Sequence, residues 1–173
     1  FKLASNKEIV SLVAKYLGML PSITFSAYWY TPFLDKPSQG SQLLHLDHEE
    51  FKQLKMFIYC SDVKLENGPM HIINKMDSKV IQKKTNYTTA AENKRISDES
   101  VNTYKIQNFS GPKKRIFVVD TSSCFHFGGR VTSGDRLVGI VQYLTPLNYN
   151  YINLKKTIPL INNKKLIDKN KEL

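Results

Sequence analysis

His45 and Asp47 stand one residue apart in Gln42-Leu43-Leu44-His45-Leu46-Asp47, and a second histidine, His126, follows far downstream. It lies in the segment Asp120-Thr121-Ser122-Ser123-Cys124-Phe125-His126-Phe127-Gly128-Gly129-Arg130. Two imidazoles and one carboxylate on a single face of an ion form the facial set that holds non-haem Fe(II) and leaves the opposite face open. Ten residues beyond His126 comes Arg136, at the head of the apolar run Leu137-Val138-Gly139-Ile140-Val141-Gln142-Tyr143-Leu144. A guanidinium in that position suits a dicarboxylate co-substrate, because its planar fork of N–H donors meets a carboxylate in two parallel hydrogen bonds. These four residues point to a metal site with oxidative chemistry. They say much less about what is oxidised.

The His-x-Asp spacing is what a strand requires. Side chains alternate between the faces of an extended chain, so His45 and Asp47 share one face while Leu44 and Leu46 pack on the other. The third ligand must then come from a different strand, and a long separation is expected. His48, next to Asp47, points away from the ion on a continuing strand. A lone His-x-Asp pair is common, and by itself it reads as an exposed polar strand edge. With His126 and Arg136 following in order, each in a strand-like context, the metal site becomes the better reading.

The elements that must position these residues can be read along the chain. Ser5-Asn6-Lys7-Glu8 has the form of a capping box, with Ile9, Leu12, Val13, Tyr16 and Leu17 as an apolar stripe and Gly18 as the stop. This helix should lie on a sheet. Ile23, Phe25, Ala27 and Trp29 alternate with Thr24, Ser26, Tyr28 and Tyr30 as a strand, and Pro32 and Pro37-Ser38-Gln39-Gly40 form a loop before the ligand strand. Residues 55–60 read as another strand, and Glu66-Asn67-Gly68-Pro69 as a turn into the strand Met70-His71-Ile72-Ile73. From Asn74 to Asn102 the chain is polar, lysine-rich and weakly periodic, with a short helix predicted between Ala90 and Ser100. A loop of this length is expected at the barrel mouth as a mobile lid. Strands resume over 103–109, 115–119 and 136–144. After Pro146 the chain is rich in asparagine and lysine, and its last dozen residues read as helix or disorder.

Many short strands behind one helix predict a mainly β fold, a double-sheet jelly roll that holds a ligand between its sheets. The 173 residues, 41% hydrophobic and 11% aromatic, fit one compact domain over 1–173, with a basic tail at 147–173. The chain opens at Phe1 without an initiator methionine, so an N-terminal portion is expected to precede it. The net charge of +10 raises the possibility of a nucleic-acid or anionic-membrane partner. The lysines are dispersed, however, and do not interleave with aromatics, so they read as solvated surface and no nucleic acid is expected. No run reaches the roughly 18 apolar residues that span a bilayer. Cys60 and Cys124 sit in apolar strand-like segments, as buried reduced thiols of a cytoplasmic protein.

The order of these motifs resembles the phytanoyl-CoA dioxygenase family. The resemblance rests on Gln-x-x-His-x-Asp at 42–47, the strand and "DV…NGP" turn at 55–69, the segment from Asp120-Thr121 to His126-Phe127-Gly128-Gly129, and the run from Arg136 to Tyr143. It covers roughly residues 5–146. It implies a double-stranded β-helix and a dioxygenase that uses Fe(II), 2-oxoglutarate and O2 to hydroxylate a small-molecule substrate, releasing succinate and CO2. Carried over by position, it implies that His45, Asp47 and His126 bind and activate iron, and that Arg136 pairs with the far carboxylate of 2-oxoglutarate. Gln42 would lie near the co-substrate or the metal. Asp47 implies hydroxylation, since halide-transferring relatives carry a small residue at that position. The glycine-serine-histidine common in the family after "NGP" is replaced here by Asn74-Lys75-Met76-Asp77-Ser78, on the substrate side.

Other residues near these motifs keep more than one reading. Lys55 and Tyr59 share a face with Phe57 and can approach the co-substrate or simply pack. His71 reads as a hydrogen-bonded core or pocket histidine, and Trp29 as core or pocket wall. Arg130 competes with Arg136 for the carboxylate, and Arg136 is preferred because a strand start holds it more rigidly than a Gly-Gly loop does. Two non-catalytic alternatives stand beside the enzyme: a cupin-like metal-binding or sensory domain without turnover, and a basic interaction module. The substrate and the oligomeric state are not legible.

Overall fold

The computed structural model describes residues 2–88, 95–96 and 104–146. The predicted helix over 90–100 and the basic tail lie outside or largely outside these residues. Two antiparallel sheets face each other. The larger has the order β1-β7-β2-β5, from β1 (Ser22–Pro32), β2 (Leu54–Tyr59), β5 (Ile116–Val119) and β7 (Asp135–Leu144). The smaller has the order β4-β3-β6, from β3 (Met70–Ile73), β4 (Ile106–Asn108) and β6 (His126–Gly128).

Alternation builds three apolar layers from these strands. Phe57, Tyr59, Val119, Val138 and Ile140 of the larger sheet meet Met70 and Ile72 of the smaller one between the sheets. Phe57 stacks on Phe117 at a centroid distance of 5.3 Å, and Tyr59 meets the same ring edge-on at 5.4 Å. The opposite face of the larger sheet, with Leu54, Met56, Val141 and Tyr143, packs on Val13 and Leu17 of helix α1 (Lys7–Leu17). Behind the smaller sheet lies a third cluster of Leu44, Leu46, Ile73, Ile81 and Phe125.

Three local expectations are corrected. The cap of α1 is Asn6, not Ser5: Asn6 Oδ1 accepts from the amides of Glu8 (2.9 Å) and Ile9 (3.5 Å), and Ser5 Oγ turns back to the Lys2 carbonyl. Asparagine caps as well as serine does, and starting the helix at Lys7 leaves Leu12 58% exposed, off the buried stripe. Second, the segment after Asn74 is not a plain loop. It opens with α2 (Lys75–Lys84), where Asn74 Oδ1 caps the Asp77 amide at 2.9 Å and Ile81 is buried behind the smaller sheet. A single buried position per turn in a lysine-rich stretch gives too weak a periodicity to read. Third, the ligand segment is extended but belongs to no sheet ladder. It is tied by isolated bridges, Leu44 to Ile96 and His45 to His126.

The "NGP" turn depends on its glycine. Gly68 has φ +67°, and a Cβ there would stand 2.2 Å from the Gly129 carbonyl oxygen. The turn therefore lies directly against the Gly-Gly loop that follows β6, which ties the two motif regions together.

Candidate metal centre

The bridge between His45 and His126 is where the sequence-distant ligands meet. Each residue's amide donates to the other's carbonyl, at 3.1 and 3.0 Å, so the two imidazoles leave the backbone side by side with centroids 4.3 Å apart. The Asp47 amide donates to the Thr121 carbonyl at 2.9 Å, which fixes the carboxylate two residues further along the same face. Leu44 and Leu46 are buried on the opposite side, as alternation demands, and His48 is exposed. One ligand atom from each of His45, Asp47 and His126 then lies within 4.8 Å of the others.

The ring nitrogens are set by the backbone. His45 Nδ1 lies 2.8 Å from the Leu43 carbonyl and His126 Nδ1 lies 3.0 Å from the Cys124 carbonyl. A carbonyl only accepts, so Nδ1 carries the proton in both rings and Nε2 keeps its lone pair. Those Nε2 atoms stand 3.6 Å from Asp47 Oδ1 and Oδ2 respectively. Asp47 Oδ2 is buried against the Lys55 ammonium at 2.8 Å. The donor set fits a divalent transition metal: two neutral imidazole nitrogens with free lone pairs and one carboxylate, all within 4.8 Å of one another.

Electrostatics keep the set in its metal-binding protonation state. Burial pushes His45 down to about 3, reinforced by His126 and only partly opposed by Asp47. Burial likewise lowers His126. Burial raises the Asp47 pKa, but His126 and the Lys55 ammonium outweigh it, and the carboxyl is held below the usual carboxylate range. Arg95, beside the Leu44–Ile96 bridge, contributes to the lowering of both histidines.

A pH dependence follows from the two depressed histidines. Below about pH 6.5 the unfolded chain takes up protons that the native imidazoles refuse, so stability falls as the pH drops towards the His45 value. The melting temperature of the metal-free protein is expected to fall from about pH 7.5 to about pH 5, each buried imidazole contributing up to roughly 1.4 kcal/mol per pH unit. A melting temperature that stays level or rises over that range contradicts the buried neutral pair.

His45, Asp47 and His126 line a cavity between the sheets together with Arg136, Lys55 and Tyr59. Its walls are Phe25 and Trp29 of β1, Phe57 of β2, Met70 of β3, and Val138 and Ile140 of β7. Arg136 is largely buried. Its Nη2 reaches Thr31 Oγ1 at 3.5 Å, and among the described residues its Nε has no partner and no carboxylate forms an ion pair with it. Gly128 makes room for the fork, since a Cβ there would meet Arg136 Nη2 at 3.1 Å. Arg130, the competing arginine, pairs instead with the exposed Asp35 at 3.6 Å and lines a different cleft.

Gln42 is also in that other cleft. Its side chain accepts from the Gln39 amide and closes the short turn Gly40–Gln42, outside the metal cavity. His71 stacks on Phe127 (4.6 Å) with Nδ1 at 2.9 Å from the Pro69 carbonyl, and it does not line the cavity. Among the described residues of 74–102, none lines the cavity. Sequence reasoning missed Gln53, which is fully buried and joins Thr121 (3.1 Å), Glu49 (3.1 Å) and Gln142 (3.3 Å) behind Asp47. Set between Lys52 and Leu54-Lys55, it carried no sequence signal of burial.

Solved structures share this architecture. SnoN, a non-heme alpha-ketoglutarate-dependent epimerase from nogalamycin biosynthesis, matches with a TM-score of 0.58 at 14% identity, over 83% of this chain and 55% of that one. EctD from S. alaskensis, solved with 2-oxoglutarate and 5-hydroxyectoine, matches with a TM-score of 0.59 at 16% identity, over 85% and 52%. HygX from Streptomyces hygroscopicus, solved with nickel and 2-oxoglutarate bound, matches with a TM-score of 0.57 at 13% identity, over 84% and 64%. The chain therefore spans between about half and two thirds of the length of these structures. The likeness establishes the fold as the double-stranded β-helix, the jelly roll expected from the strand pattern. No family model matches the chain, and no curated protein does. No helix among the described residues is long and apolar enough to cross a membrane.

Proposed function

We propose that the chain is an Fe(II)- and 2-oxoglutarate-dependent dioxygenase that hydroxylates a small molecule, with release of succinate and CO2. The observation that carries this reading is Arg136, a guanidinium buried in the same cavity as the three ligands with no carboxylate of the described residues in an ion pair with it. A buried charge without a partner is strongly unfavourable, and the far carboxylate of 2-oxoglutarate supplies the missing group. A cupin-like metal-binding or sensory domain accounts for the three ligands but leaves this arginine without a purpose.

In this reading His45 and His126 hold the metal through Nε2, and Asp47 holds it through its carboxylate. Arg136 anchors the co-substrate, and Gly128 keeps the space in front of its fork open. Trp29, Phe25, Phe57, Val138 and Ile140 exclude water around the reacting groups. When bound, Fe(II) and 2-oxoglutarate supply the oxidising chemistry that side chains lack, with O2 divided between succinate and the new hydroxyl. The motif order supports a place beside the phytanoyl-CoA dioxygenases. The neighbours bound to iron or nickel and 2-oxoglutarate support the cofactor assignment. Cys60 and Cys124 are free and half-buried, which suits the cytoplasm.

Anaerobic calorimetry with Fe(II), then with 2-oxoglutarate, tests the reading, followed by a succinate-release screen over small metabolites. Saturable binding of 2-oxoglutarate that requires the metal is the expected result. Metal binding without any 2-oxoglutarate binding would favour the sensory domain.

A further inference from the structure

Lys55 is not accounted for by the co-substrate. It pairs with Gln142 across β2 and β7, whereas Arg136 stands six residues earlier on β7. At a rise of ~3.3 Å per residue the two positions are about 20 Å apart along the strand. Both line the cavity that holds the three ligands, and it is Lys55 that meets one of them directly. Its ammonium sits 2.8 Å from Asp47 Oδ2, with both side chains almost fully buried. Glu49 Oε1 braces the same Nζ at 3.4 Å, and Glu49 Oε2 is itself held by Gln53 at 3.1 Å. Each carboxylate oxygen stands 3.6 Å from one imidazole, Oδ1 from His45 and Oδ2 from His126, and only Oδ2 is also held by the ammonium.

We propose that Lys55 is a positioning residue that keeps Asp47 a one-oxygen donor, holding Oδ2 back so that Oδ1 alone is offered to the metal. The inference rests on the metal-site reading above. Three single donors leave a whole face of an octahedral ion open, which a two-point co-substrate needs. A carboxylate that chelates through both oxygens takes a position from that face. Charged partners that orient a metal ligand commonly matter by about 10- to 100-fold in affinity or activity. Here the effect falls on the co-substrate through the coordination that Asp47 leaves open.

The test uses the full chain loaded with Co(II), whose visible spectrum reports coordination number. Lys55→Met is expected to bind Co(II) as well as the parent does, to change that spectrum, and to bind 2-oxoglutarate about tenfold more weakly. Lys55→Arg keeps the cation and is expected to restore both. If Lys55→Met does not fold, Lys55→Gln, a hydrogen-bond donor without charge, carries the same expectation. An unchanged spectrum with unchanged 2-oxoglutarate affinity overturns the proposal, as does a loss that Lys55→Arg fails to repair. Absence of Co(II) binding by the parent chain overturns the metal-site reading itself, and is recognised before any variant is compared.

Discussion

Arg136→Lys is expected to weaken 2-oxoglutarate binding by more than tenfold, about 1.4 kcal/mol, while metal affinity changes little. Lysine keeps the charge but loses the fork, and its three donors cannot meet a carboxylate in two parallel hydrogen bonds. Arg136→Ala is expected to weaken binding further, because the charge is lost as well. It should not unfold the protein, since among the described residues the side chain has Thr31 alone as a distant partner and its Nε has none. Removing an unanswered buried charge relieves the native state, so the Arg136→Ala melting temperature is expected to be unchanged or higher. Calorimetry on the metal-loaded protein and a thermal melt read the two effects separately. Parental 2-oxoglutarate binding in both variants would show that Arg136 is not the anchor, and the oxygenase reading would then rest on the three ligands alone.

The second large effect is expected at Asp47. Asp47→Asn preserves shape but replaces an anionic oxygen donor with a neutral amide, and binding of Ni(II) should fall by more than about 100-fold, beyond what loss of an outer partner costs. The variant also leaves Lys55 with Glu49 as its one close carboxylate among the described residues. Folding should survive, because Leu44 and Leu46 on the opposite face still fill the cluster with Ile73 and Phe125. Calorimetry with Ni(II), checked against the circular dichroism of the variant, measures this. Affinity within twofold of the parent in a folded Asp47→Asn would mean that the carboxylate is not a ligand, whatever its distance from the histidines.

Both predictions depend on a site whose parts differ in how far local chemistry exposes them. His45 and Asp47 share a face because a two-residue period is a property of extended backbone, and this holds even though their segment joins no sheet ladder. The same alternation, read along β2 and β7, puts Lys55, Phe57 and Tyr59, and then Arg136, Val138 and Ile140, on the cavity wall. The strands themselves follow from runs of β-branched and aromatic residues between turn residues, and β3 was legible to the residue as Met70–Ile73. All of this is short-range information, carried by each residue's own neighbours in sequence.

What only the tertiary structure decides is which remote groups meet. Nothing near Lys55 in the chain says that its ammonium ends 2.8 Å from Asp47 rather than in solvent. Gln53, Thr121 and Gln142 become one buried network only when the end of β2, the turn after β5 and the end of β7 are brought together. Arg130 and Arg136 part in the same way, one pairing with an exposed Asp35 and the other buried in the cavity with no carboxylate of the described residues in an ion pair with it. Gln42, three residues before His45, turns to cap its own loop because the backbone rotates through the turn at Gly40–Gln42 before it becomes extended. Helix α2 escaped notice because it buries little, and its cap at Asn74 competes with many polar neighbours. Periodicity records the face on which a side chain lies, and sequence carries that directly. Which charge it meets there depends on contacts made across the folded chain.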